Sequence, residues 1–287
     1  MKNLSCFLFL VSSFLVLGQT KEELIQKIVD YNIFESDCVG IACSPSEQFK
    51  RFQKLLTIIS EKELMDLSKH KEPVIRAYAS TELIKRNQDV VSLFSFEIEK
   101  NETVETQDGC IGGFDNLPWV IYNAYKWKVA SKAITKSDQN ENIRNLKMTK
   151  ALASDDKFQE LNSIIFQSDK DLYYMFYYVT LKDKKINENL FPELKKLAFK
   201  YNNSFAFDFI LDKYPNEVQN YFLNDFEQAD FDSPNKVMYL DRFIEYLLDS
   251  QDENYKKIAI AKLKKDKSWR KYFNFIEDKL KKHNIVL

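Results

Sequence analysis

Three cysteines and one histidine are the residues in this chain best suited to chemistry: Cys38, Cys43, Cys110 and His70. Three thiolates and an imidazole make a tetrahedral zinc set. The spacing matches no zinc signature, and exported thiols tend to oxidise, so a disulfide is the competing reading. Cys38 and Cys43 have four residues between them, including Gly40, which leaves a local bridge open. A bridge to Cys110 would close a loop of roughly 70 residues. In the chain-entropy model it stabilises by about 4 kcal/mol, against ~2 for the short loop. Cys43 directly precedes Ser44, a candidate helix cap. That favours Cys43 to Cys110, with Cys38 left over.

These residues, His70 apart, lie in two segments, FESDCVGIACSPSE (34–47) and VETQDGCIGGFDNLPW (104–119), which hold every cysteine and glycine after residue 18. Glycine-bearing loops on a rigid scaffold are where binding usually sits. If consecutive helices alternate up and down, both segments and the turn at His70 open on one rim.

Other chemistry is sparse. There are two histidines, His70 and His283, so a Ser-His-Asp triad would have to be built on His70. No HExxH pattern, phosphate loop or dinucleotide fingerprint occurs, and no cofactor is implied. The aromatic run DLYYMFYYV (171–179) reads as one buried helix. Residues 222–253 carry nine acids and two bases, and residues 254–287 carry eleven bases and three acids. The basic end, with Lys264, Lys265, Lys267, Arg270 and Lys271 among interleaved aromatics, reads as a solvated face or as a contact for an anionic envelope surface. Net charge is −1, which gives no global field for nucleic acid.

The elements that must position these residues read as helices. Five glycines occur and none follows residue 113, so hairpins are hard to build in the second half. Thr20–Glu23, Ser44–Glu47, Ser60–Glu63 and Ser250–Glu253 have capping-box spacing. Pro45, Pro73, Pro192, Pro215 and Pro234 suit first-turn positions. The expected helices span 21–33, 46–58, 61–69, 73–86, 89–99, 117–133, 141–152, 156–166, 170–182, 190–201, 204–213, 216–226, 234–248, 252–264 and 267–282.

Residues 1–18 have a basic start, an apolar run and a small-residue end, the pattern of a secretory signal peptide. Residues 19–287 are then one domain, periplasmic or extracellular.

A repeat is visible. ELMDLSKHKEPVIRAYASTEL (63–83), moved 180 residues without gaps, falls on FIEYLLDSQDENYKKIAIAKL (243–263). Leu64 meets Ile244, Leu67 meets Leu247 and Ile75 meets Tyr255. Tyr78 meets Ile258, Ala79 meets Ala259 and Leu83 meets Leu263. Pro73, Val74, Arg76, Ala79 and Leu83 resemble the second-helix signature of the HEAT-repeat family, including its short phycobilisome-lyase-like variant. The chain as a whole resembles exported HEAT-repeat proteins of Gram-negative bacteria. The resemblance implies an all-α fold: a right-handed α-solenoid of antiparallel helix pairs, irregular in the middle. Solenoids expose long surfaces suited to proteins and peptides. The expected function is a non-enzymatic scaffold binding a protein, peptide or envelope component. The alternatives are an enzyme or lyase-like ligand binder working from 34–47 and 104–119, and a thiol- or metal-dependent envelope protein.

Overall fold

A computed structural model of the chain describes residues 19–135, 137–170, 172–181, 190–201, 203–215, 226, 234–271 and 275–287. The expected signal peptide and most of the 216–226 helix lie outside these residues. The fold divides after Leu161 into two compact units.

The first unit is not purely helical. Helices α1 (Lys21–Tyr31), α2 (Glu47–Leu56), α3 (Glu61–Leu67), α4 (Pro73–Lys85), α5 (Val90–Lys100), α6 (Leu117–Lys132), α7 (Glu141–Ser154) and the start of α8 (Asp156–Gln167), which the division after Leu161 cuts, accompany four strands. These are β1 (Ile33–Val39), β2 (Ser44–Pro45), β3 (Thr103–Gly109) and β4 (Ile111–Asn116). They form one mixed sheet in the order β2-β1-β3-β4, with β1 parallel to β3 and both hairpins antiparallel. The expectation of an all-α solenoid is therefore corrected to a mixed α/β fold. Both glycine-bearing segments, read as loops, are largely strand. Gly112 and Gly113 lie within β4, while Gly40 and Gly109 sit at hairpin tips with φ 75° and 55°, a region in which a Cβ is strained. The Gly40 N–H donates to the Gly109 carbonyl at 2.7 Å and ties the two tips together.

Local sequence explains the helix boundaries. Ser60 and Glu63 form a full capping box at α3, and Thr20 caps α1 through the Glu23 N–H. Ser44 is drawn into β2, so Ser46 caps α2 instead. Asp252, not Ser250, caps the helix starting at Glu253. Pro73 opens α4 at its first turn. That helix is the centre of the unit: Val74, Ile75, Ala77, Tyr78, Ala79, Leu83 and Ile84 are all buried.

The second unit is helical in its described residues. It holds α9 (Tyr174–Leu181), α10 (Phe191–Lys195) running into a π-turn to Lys200, α11 (Ser204–Lys213), α12 (Pro234–Asp249), α13 (Glu253–Lys265), a 3-10 turn (Lys267–Lys271) and α14 (Phe275–Lys282). The expected single helix 267–282 is thus broken. Phe207 stacks on Phe243 at 4.1 Å, and Phe226 on Phe243 at 5.5 Å, between α11 and α12. Asp241 and Glu245 of α12 pair with Lys279 of α14, and Asp249 pairs with Lys282 and His283. Part of the acidic block therefore neutralises part of the basic end inside one unit.

The two copies of the repeat fall in different units. In the first, Leu64, Ile75, Tyr78, Ala79 and Leu83 are buried and Leu67 is half-buried. In the second, Ile244, Leu247, Ala259 and Leu263 are buried, with Tyr255 and Ile258 half-buried. The small residue lies in the core both times, but in the first unit the helix pair packs against a sheet. Among the described residues no helix is long and apolar enough to cross a membrane.

Candidate functional site

The sheet separates the expected cysteine–histidine set. Cys38 and Cys43 form a disulfide, with Cα atoms 4.8 Å apart, across the β1–β2 hairpin. Cys110 is an exposed free thiol at the β3–β4 tip. The favoured Cys43–Cys110 bridge is corrected: the hairpin brings Cys38 and Cys43 together locally, and Cys43 takes φ 52° with its N–H on the Gly40 carbonyl. His70 lies at the other end of β3. Arg76 donates to the His70 carbonyl at 2.9 Å and to Glu102, the residue before β3, at 2.5 Å. Cys110 follows the last residue of β3, a strand of roughly 23 Å at ~3.3 Å per residue. His70 therefore cannot join the thiols. Its Nδ1 accepts from the Glu72 N–H instead, and no group of three metal-ligating side chains forms among the described residues.

Arg76 is itself a structural centre. It is fully buried and pairs with Glu97, also fully buried, at 2.8 Å. Burial opposes its charge, but the hydrogen bonds it donates to Glu97 and Glu102 outweigh that and raise its pKa.

The basic side chains Lys264, Lys265, Lys267, Arg270 and Lys271 are exposed where α13 meets the 3-10 turn. Trp269 among them is core, 2% exposed, with its indole N–H on the Leu263 carbonyl. Arg270 lies over that ring and donates to the Leu287 carbonyl. In the aromatic run the helix starts at Tyr174; Leu172, Phe176 and Tyr177 are buried, while Tyr173, Tyr174, Met175, Tyr178 and Val179 are half-buried, so the run is not buried throughout as expected.

What the first unit does assemble is a groove of about 410 Å³. Its walls are Phe49 and Phe52 of α2, Tyr78 to Lys85 of α4, and Trp119 to Trp127 of α6. The sheet closes one side with Phe34, Thr106, Ile111 and Asp115. Register explains that choice. Phe34 pairs with Thr106 and Thr106 with Gly113, so their side chains share one face, together with Ile111 and Asp115 two residues along β4. Phe114 points to the opposite face and is 77% exposed.

The aromatic floor is built of ring contacts. Tyr78 stacks on Phe52 at 4.8 Å and meets Phe34 edge-on at 4.7 Å. Burial pushes the Tyr78 phenol well above its usual pKa, so it stays neutral. Trp119 stacks on Tyr122, which in turn touches Phe158. The rim is different: Trp127 is 60% exposed and Ile111 76% exposed. Large apolar surface left in water beside a concavity is a mark of a contact site.

Polar groups ring the groove. Glu82 takes Arg86 at 2.9 Å and Lys85 at 3.9 Å. Thr106 donates to Asp115 at 2.7 Å. Glu35 is buried behind the floor, receiving the Tyr31 hydroxyl at 2.8 Å and the Ser46 hydroxyl at 2.5 Å. Glu82 is paired with Lys85 and Arg86, which leaves Asp108 and Asp115 as the acidic groups of the lip. Such a groove can take an apolar side chain or ring and hold a cation beside it.

Sequence reading marked 34–47 and 104–119, and both contribute to this groove. It missed Phe49, Glu82, Lys85 and Trp127. The available signal was the spacing of Trp119, Asn123 and Trp127, every fourth residue and hence one face of α6.

Comparison with known proteins finds no matching family model, no matching curated protein and no matching solved structure.

Proposed function

We propose that the protein is an exported, non-enzymatic binding protein. Its groove captures an extended segment of a partner polypeptide, with an apolar or aromatic side chain seated between α2, α4 and α6 and a basic residue beside it. The observation that carries this reading is the convergence of aromatic side chains from three helices and a strand on one groove whose rim leaves Trp127 60% exposed. The acidic lip supports the choice of a basic neighbour. Engagement of Glu82 with Arg86 and of Asp115 with Thr106 supports binding over catalysis. The leader-like pattern of residues 1–18 supports export.

Selection of a displayed peptide library on the full chain tests the proposal. Sequences pairing an aromatic or large aliphatic residue with Lys or Arg are expected to enrich. Trp127→Ala, which removes a largely exposed ring, is expected to abolish the enrichment and leave the fold intact. Enrichment indifferent to Trp127, or none at all, would contradict it.

A further inference from the structure

A second cavity in the first unit, of about 650 Å³, has the opposite charge. It is framed by three amines from two helices: Lys128 and Lys132 of α6, and Lys157 in the first turn of α8. Its floor is apolar, with Val129 and Ala151, and Gln88 reaches it from the turn after α4.

Two carboxylates also border it, and their arrangement matters. Asp155 Oδ1 already accepts the Tyr125 hydroxyl at 3.0 Å and the Phe158 N–H at 2.8 Å, as the cap of α8. Burial and then that carboxylate push the Tyr125 phenol up to about 12, so it stays a donor to Asp155. Asp156 is exposed at the helix start. Asp89, which interacts electrostatically with Lys157, accepts from the Ser92 hydroxyl and the Val91 N–H. Among the described residues none of the three amines is ion-paired, and Lys128 donates to the carbonyl of Ile84. Burial first, and then Lys132 and Lys157, lower the pKa of Lys128, with Asp155 only partly offsetting them. Like charges that raise one another's free energy in a cavity are relieved by a bound anion.

We propose that this cavity binds a small phosphate ester, its phosphate held by Lys128, Lys132 and Lys157 and its organic part resting on Val129 and Ala151. Lysine serves phosphate as a mobile point charge with three donors, and charge-assisted hydrogen bonds of this kind are strong. The exposed Asp156 and the Gln88 amide oxygen suit hydroxyl groups on the ester, the Gln88 amide N–H being taken by Glu61.

The test is calorimetric titration of the full chain with inorganic phosphate, glucose 6-phosphate and glucose. Glucose 6-phosphate is expected to bind, more tightly than inorganic phosphate, with affinity falling as salt rises; glucose is expected not to bind. The double variant Lys132→Gln/Lys157→Gln changes two exposed side chains and should stay folded by circular dichroism. It is expected to weaken glucose 6-phosphate binding by about tenfold or more. Lys264→Gln/Lys265→Gln, in the other unit, should leave binding unchanged. Absence of binding, equal affinity for phosphate and its ester, or equal loss in the two double variants would overturn the proposal.

Discussion

The hydroxyl of Tyr78 both donates to the Glu35 carbonyl at 3.0 Å and accepts from the Glu35 N–H at 2.9 Å. One side chain from the central helix thus satisfies both backbone groups of a buried residue in β1. The Tyr78 ring meanwhile lies between Phe34 and Phe52 as the floor of the groove. Sheet and aromatic groove are held by the same residue.

Tyr78→Phe should therefore destabilise the fold although it keeps the ring. It strands a buried N–H and a buried carbonyl, at a cost of about 2 kcal/mol. Urea denaturation followed by circular dichroism measures this. An unchanged midpoint would mean that the β1–α4 link contributes nothing.

Arg76→Met should cost more, because it leaves Glu97 charged and unpaired with its side chain fully buried. The expected loss is about 3–5 kcal/mol. Adding Glu97→Met should recover much of it, since the stranded charge is then gone. A double variant as unstable as the sum of the single ones would show that the pair is not coupled.

The helical scaffold was legible because its signals are local. Ser60 and Glu63 announce α3, and Pro73 announces α4, within one turn of each helix start. The sheet was not, because its strands lack an apolar alternation. Val104 is the only apolar side chain in β3, β1 buries a glutamate as its third residue, and β4 leaves Ile111 and Phe114 in solvent. The burial of Glu35 depends on Tyr31, Ser46 and Tyr78, partners that only the fold supplies. The glycine that opens the two-residue Gly109-Cys110 loop was a readable hairpin signal. The cysteine rim failed for the same reason: a parallel β1–β3 pair puts the thiols and His70 at opposite ends, where a helical stack would have gathered them.

Non-reducing peptide mapping should recover Cys38 linked to Cys43 and Cys110 as an alkylatable thiol. Closing so short a loop stabilises by only about 2 kcal/mol, so reduction should lower the midpoint without unfolding the protein. A Cys110-linked peptide would contradict the hairpin.

Acid should weaken one tertiary link. Glu63, bonded to Lys21 and to the Ser60 cap, has its carboxyl lowered from 4.5 to about 2. The folded state thus binds this proton less readily than the unfolded chain. The contribution is complete above the unfolded value and fades as pH falls from 4.5 towards 2. Glu63→Gln should flatten the loss of stability across that window and change little near neutral pH beyond the lost ion pair. An acid limb identical to the wild type would exclude the Lys21–Glu63 pair as a contributor.

The central claim, that the aromatic groove of the first unit is the binding site, is tested most directly by the indole region of a ¹⁵N–¹H correlation spectrum. The chain has three tryptophans. Trp119 and Trp127 line the groove, and Trp269 is buried in the second unit as an internal reference. On titration with a library-selected peptide, the Trp119 and Trp127 indole signals should shift together and saturate while that of Trp269 stays fixed. A peptide that binds and leaves both groove indoles unmoved would contradict the account.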